Sequence, residues 1–221
     1  MKVLVFDTET TGLPIGRNPS IMDVHKWPHI VQMSYILFDT VTKQIVTMRD
    51  DLIKIPLEVE ITPGSEAIHH ISREMCDANG ISINDALNYF NKALGQADVI
   101  VGHNISFDKR VIMVECRRSN IYQKFTMNGV RKEEYCTMKK GSAICEIVKT
   151  SADGNTYFKY PTLTELHQKL FDYNPEGTHD ALVDVLICLR CYVKIADGYD
   201  FMDSTTSAEY NDLKNLYTSR L

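Results

Sequence analysis

Lys2-Val3-Leu4-Val5-Phe6-Asp7-Thr8-Glu9-Thr10-Thr11-Gly12 opens the chain and decides its architecture. Val3 to Phe6 is a continuous apolar run, the pattern of a strand covered on both faces in the middle of a sheet. The run ends in charge. Asp7 and Glu9 are two residues apart, and the strand period of two puts both carboxylates on one face at the sheet's end. Two like charges there repel, a divalent cation relieves that repulsion, and hard oxygen donors suit Mg²⁺ or Mn²⁺. Taken alone, the pair also fits two solvated acids at a strand end.

Working outward, Ile30 to Phe38 and Gln44 to Ile55 carry β-branched, partly alternating patterns, with Val41-Thr42-Lys43 between them as a hairpin turn. These three strands read as antiparallel. Ser82 to Leu94 has helical periodicity with Ser82 or Asn84 as cap, and Asp98 to Val101 reads as a fourth strand. Asn104 to Arg118 reads as a helix capped by Asn104, Tyr135 to Met138 as a fifth strand, and Lys139 to Tyr160 as polar and irregular. Thr162 to Phe171 and Ala181 to Ala196 are helical by periodicity. The expected fold class is α/β, a mixed sheet with helices on its faces.

The composition is that of an ordinary globular protein: 221 residues, 44% hydrophobic, 24% charged, with a formal charge of -5. One domain is expected at this length, and disorder, collagen and coiled coil are excluded. No apolar run approaches the ~20 residues of a membrane span, and Asp7 interrupts the first apolar stretch too early for a signal peptide. An intracellular location and no membrane partner are expected. The six cysteines are scattered, so reduced thiols are expected, and Cys188-x-x-Cys191 lacks the second half of a zinc site. Net acidity argues against a nucleic-acid partner, but Lys109 to Lys149 holds ten basic and four acidic residues, a local balance of +6. That stretch fits either a solvated basic surface or a phosphate-binding track.

Two more stretches carry chemistry. Gly102-His103-Asn104-Ile105-Ser106-Phe107-Asp108 reads as a strand-to-helix turn with an acid in the first helical turn. In His179-Asp180-Ala181-Leu182-Val183-Asp184, the positions Ala181, Leu182, Val185, Leu186, Leu189 and Val193 define a buried helix face. His179 and Asp184 are about 140° apart on a regular helix, so both cannot point the same way from it. With Asp180 as cap, His179 falls on a preceding loop over a site that Asp184 lines from the first turn.

The three stretches, in this order and spacing, resemble the exonuclease motifs of the DnaQ-like, or DEDDh, 3′-to-5′ exonuclease superfamily. The resemblance runs from Lys2 to about Ala196 and includes Trp27-Pro28-His29-Ile30-Val31-Gln32, Ala67-Ile68-His69-His70-Ile71 and Pro161-Thr162-Leu163-Thr164-Glu165-Leu166. It implies the ribonuclease H-like exonuclease fold, a five-stranded mixed sheet flanked by helices, as a domain over 1–197. It also implies two divalent cations, Mg²⁺ or Mn²⁺. Asp7, Glu9 and Asp184 would hold the ion that carries the attacking water; Asp7, with Asp108 acting through water, would hold the other. His179 is the implied general base, since an unperturbed imidazole is mostly neutral near pH 7. The implied products are nucleoside 5′-monophosphates released singly from a 3′ end.

For substrate binding the resemblance points to Thr10, Thr11, Gly12 and Leu13, with Leu13 as an apolar wedge against a base, and to His69, Asn104 and Phe107. His70 stands where relatives often carry glycine. Asn104 also reads as a helix cap and Phe107 as core. Pro14 to Lys26 and Lys139 to Tyr160 are long connections able to shape a groove. The 198–221 tail lies beyond the resemblance, and Tyr210, Leu213 and Tyr217 suggest a short docked helix in it. The expected function is a metal-dependent exonuclease on single-stranded or frayed 3′ DNA ends, in proofreading or repair, where proofreading would need a polymerase partner in trans. RNA 3′-end trimming or oligoribonuclease activity is the alternative within catalysis. An inactive nucleic-acid-binding scaffold is the alternative outside it, and the intact acid set argues against that.

Overall fold

A computed structural model describes residues 1–203 and 210–221. In chain order the elements are β1 (Lys2–Thr10), β2 (Ile30–Asp39), β3 (Gln44–Leu52), α1 (Pro63–His69), α2 (Arg73–Asn79), α3 (Ile83–Gln96), β4 (Val99–Gly102) and α4 (Ser106–Arg118). They continue with β5 (Thr126–Met127), β6 (Val130–Arg131), β7 (Glu133–Cys136), α5 (Thr137–Cys145), β8 (Val148–Thr150), β9 (Thr156–Phe158), α6 (Leu163–Phe171), α7 (Ala181–Asp197) and α8 (Asn211–Arg220).

The main sheet runs β3-β2-β1-β4-β7, with β1 at its centre. β1, β2 and β3 pair antiparallel, while β4 and β7 continue parallel to β1. This is the five-stranded mixed sheet flanked by helices that was expected. Side-chain alternation along β1 divides the core in two. Leu4 and Phe6 face α3 and α4, where Phe6 meets Phe90 edge-on at 5.2 Å. Val3 and Val5 face α7 and pack with Leu182, Val185, Leu186 and Leu189. By the same alternation Asp7 and Glu9 leave the sheet on the α7 side and Thr8 on the α4 side.

α7 is buried on a wider arc than one stripe. Val183, Ile187 and Cys191 pack with Leu166 of α6 on the face away from the sheet, so the helix is apolar nearly all round because it is covered nearly all round. Tyr210 and the α8 residues Leu213 and Tyr217 are buried in the α7-side core; residues 204–209 of the tail lie outside the described residues.

Several expectations require correction. The fifth strand is Glu133–Cys136, and Thr137 and Met138 begin α5. Lys139 to Tyr160 is not irregular: α5 runs to Cys145, and β8 and β9 form a hairpin. α1 and α2 were not foreseen; each is seven residues long and capped by a side chain, Thr62 and Ser72 respectively. All six cysteines are free thiols. Among the described residues no helix is long and apolar enough to cross a membrane.

Candidate active site

The site lies where β1 ends beside the start of α4 and the start of α7, at the carboxyl ends of the parallel strands β1 and β4. Each acid is held there by local structure. Asp7 and Glu9 come from the last turns of the pleat in β1. Asp108, in the first turn of α4, is fixed by Thr8, whose hydroxyl and backbone N–H both donate to its Oδ1, at 2.8 and 3.2 Å. Asp184 stands in the first turn of α7, which Asp180 caps by accepting from the Leu182 and Val183 N–H groups. The α7 N-terminus is also tied to β2: Gln32 Oε1 accepts from Ala181 N–H at 3.1 Å, while its Nε2 donates to Asp50.

His179 lies outside α7 on the preceding loop, exposed, with a left-handed backbone (φ 75°), and its N–H donates to Asp184 Oδ2 at 3.3 Å. One donor atom each from Glu9, His179 and Asp184 lie within 4.8 Å of one another. Asp7 and Asp108 are not part of that tight group, although their charges act on it.

Partial burial and mutual repulsion raise every acid in the set. Burial first, then the charges of Asp184, Asp108 and Asp180, push Glu9 up to about 8. Burial holds Asp108 and Asp184 each at about 7, against the opposing pull of the Thr8 and His179 hydrogen bonds respectively. Asp7 is raised well above the carboxylate range by burial and by Asp108, Asp184 and Glu9. Asp184 Oδ1 is buried with no hydrogen-bond partner among the described residues. An orphaned buried acceptor inside a set of acids that suppress one another's ionisation fits a divalent cation, which supplies the missing partner and the missing charge.

The residues expected to grip substrate divide into two groups. Leu13, which is 83% exposed, lines one cleft of about 360 Å³ together with Asn104 and Phe107. Thr10, Thr11 and His69 are buried and line no part of that cleft. The Thr10 hydroxyl donates to Gly12 O, and Thr11 Oγ1 accepts from His29 N–H at 3.0 Å. His69 Nδ1 accepts from Ile71 N–H at 3.0 Å, so its Nε2–H donates to Thr10 O at 3.2 Å. Its edge also lines a cavity of about 530 Å³ shared with His179 and Asp180. Gly12 has little room, since a Cβ there would lie 3.2 Å from Thr62 Cγ2.

Asn104 does not cap α4. It takes a left-handed backbone (φ 64°) before the helix, and Ile105 occupies the cap position with no side-chain bond. Asn tolerates that conformation better than most residues, which leaves its side chain in the cleft. Phe107 is half-buried and packs on the α4-side core while lining the same cleft. His70 is the left-handed C-cap of α1 (φ 58°), so the chain reversal that glycine favours is made here by a histidine.

Residues 4–192 match the family RNase_T, described as exonuclease. The chain belongs to the exonuclease family. A search of curated proteins found no match. Among solved structures it is similar to E. coli exonuclease I in complex with a dA16 oligonucleotide, at 18% identity and a TM-score of 0.66, covering 89% of this chain and 41% of that one. It is also similar to the zinc-bound E. coli exonuclease I–single-stranded DNA complex, at 17% identity, a TM-score of 0.66, and coverage of 89% and 41%. Exonuclease I from Methylocaldum szegediense matches at 18% identity and a TM-score of 0.63, with coverage of 91% and 42%. The chain thus spans about two fifths of the length of these proteins, and the likeness is one of fold.

Two positioning residues lie outside the acids and histidine of the exonuclease motifs: Thr8, which orients Asp108, and Gln32, which anchors the start of α7. Gln32 carried a signal, being a polar residue inside the apolar β2 run. Arg118 carried a misleading one. It sits in the basic stretch, but its guanidinium is turned inward to Glu115 and to the carbonyls of Val24, Trp27 and Pro28.

Proposed function

We propose that the chain is a divalent-metal-dependent 3′-to-5′ exonuclease that releases nucleoside 5′-monophosphates from single-stranded or frayed 3′ DNA ends. The observation that carries this reading is the convergence of Glu9, His179 and Asp184 donor atoms within 4.8 Å beside a buried, unpartnered Asp184 oxygen.

Asp7, Glu9, Asp108 and Asp184 would hold two cations, Mg²⁺ or Mn²⁺; such ions lower the pKa of water and stabilise charge on the scissile phosphate and the leaving oxygen. His179 takes the proton of the attacking water. Its place on a loop, held to Asp184 through its backbone N–H with no side-chain hydrogen bond among the described residues, leaves the imidazole able to turn toward that water. Thr8 holds the Asp108 carboxylate in one orientation, and Gln32 holds the N-terminus of α7 so that Asp184 is presented to β1. Leu13, Asn104 and Phe107 receive the terminal nucleoside, with Leu13 packing against the base regardless of its identity. Thr10, Thr11, Gly12 and His69 shape the backbone that presents Leu13. Complexes of E. coli exonuclease I with dA16 and dT13 support DNA as the substrate.

The test is incubation with 3′-extended, labelled DNA and with the matching RNA in Mg²⁺ or Mn²⁺. Mononucleotide release from DNA, abolished by Asp7→Asn, is expected. Faster release from RNA would reassign the substrate, and no release from either would refute the reading.

A further inference from the structure

The groove that begins at the Leu13 cleft does not stop there. That cleft shares Asn18, Pro19 and Arg110 with a second depression of about 570 Å³, and the second shares Ile21 and Met113 with a third of about 650 Å³. The floor of all three is one face of α4: Ser106, Arg110, Met113 and Arg117 recur at helical spacing, a run of about 16 Å at 1.5 Å per residue. The Pro14 to Lys26 connection forms one wall. The opposite wall comes from residues 121–134, including the β5–β6 hairpin.

The lining combines two kinds of surface. Ile21, Met22, Met113 and Ile121 are apolar, and Tyr122 stands beside them 73% exposed. Arg110, Arg117 and Arg131 carry positive charge with no carboxylate partner among the described residues. The one acid in the lining, Glu134, is paired with Lys109. Lys139 and Lys140 lie on α5 and line none of the three depressions. Cations spaced along a channel with an apolar floor and an exposed aromatic ring are the elements that hold single-stranded nucleic acid, with phosphates on the cations and bases on the ring.

We infer that this groove along α4 is the track for the DNA strand upstream of its 3′ end, with Arg117 and Arg131 on the phosphates and Tyr122 stacking on a base. The inference rests on the proposed exonuclease reading for its direction, since the groove starts at the cleft assigned to the terminal nucleoside. It narrows the basic stretch to members with a guanidinium free among the described residues on one side of α4: Arg118 also lines the third depression, but its guanidinium is taken up by Glu115 and by the Val24, Trp27 and Pro28 carbonyls, and Lys139 and Lys140 lie outside the groove.

The experiment measures binding without hydrolysis. Fluorescein-labelled oligo-dT of about 15 and about 4 nucleotides is titrated in EDTA over a salt series, using the full chain. Wild type should prefer the longer strand. Arg117→Ala/Arg131→Ala should remove that preference and reduce the slope of log K against log salt by about 1.4, roughly 0.7 for each phosphate no longer neutralised. Tyr122→Ala should weaken the longer strand about tenfold with the slope unchanged. Lys139→Ala/Lys140→Ala, on α5, should bind like wild type. No preference for length in wild type, or an unaltered slope in the double arginine variant, would overturn the track. Because turnover does not enter, a protein that shows these binding changes but releases no mononucleotide keeps the track and loses the exonuclease reading. Mononucleotide release with an unaltered slope does the reverse.

Discussion

Two of the clusters in which the molecule buries charge are treated in opposite ways. At the end of β1, four acids crowd together and raise one another's pKa, with no Lys or Arg paired to them and one oxygen without a hydrogen-bond partner among the described residues. Beneath α8, a single buried cation is satisfied on every side. Arg190 makes a two-pronged contact with Asp200 at 2.9 and 2.6 Å, bonds to His167, Tyr173 and Tyr217, and stacks on Phe171 with 3.9 Å from its guanidinium carbon to the ring centre. A buried charge kept for structure is surrounded by partners. A buried set of acids kept without them holds its protons more tightly, which supports the proposal that divalent cations bind there.

The sharpest way to break this comparison is to remove one charge from each region. Asp7→Asn should lower turnover about 10³-fold, since ion-based stabilisation is worth several kcal/mol and each 1.36 kcal/mol is tenfold. The same change should raise the melting temperature of the metal-free protein, because it removes a repelling charge. Loss of both activity and stability would mean that the acids are structural. Arg190→Met should do the opposite. It leaves Asp200 without its main partner and should cost about 3 kcal/mol, roughly 10 °C in melting temperature, with kcat per folded molecule intact.

How much of this was legible beforehand differs between the two regions for physical reasons. The acid set could be read because its geometry is local: a period of two places Asp7 with Glu9, and a helical angle expels His179 from α7. The Arg190 knot joins α6, α7 and α8 through contacts distant in sequence, and nothing local announces it. Gly141 shows the same limit. It lies in the stretch that reads as polar and irregular, yet it is a packing glycine of α5, since a Cβ there would lie 2.9 Å from Leu166 Cδ1. The spacing of charges in Lys109 to Lys149 was visible, but their partners were not: Arg117 and Arg118 line the same depression, and only the Arg118 guanidinium is taken up by Glu115 and backbone carbonyls.

A smaller effect separates the regions by pH. An acid whose folded pKa is raised binds its proton more tightly folded than unfolded. Its contribution to stability is whole below about pH 4 and is lost as pH rises through its folded value. For Glu9, Asp108 and Asp184 that loss should be complete only above about 7 to 8. The metal-free protein should therefore melt at progressively lower temperature from pH 5 to pH 8, and Mn²⁺ should restore more at pH 8 than at pH 5. An equal effect at both would place the ion elsewhere. The smallest effect concerns His70, whose φ of 58° disfavours any side chain. His70→Gly should gain about 0.5 kcal/mol in thermal melts without altering turnover.

The central claim is that the acid set is an ion site held partly protonated until the ion arrives. Calorimetric titration of the metal-free protein with Mn²⁺ near pH 7.5, repeated in buffers of different ionisation enthalpy, measures ion uptake and proton release together. The account predicts saturable binding with release of protons, both diminished in Asp7→Asn. Binding with no protons released, or no binding, would contradict it.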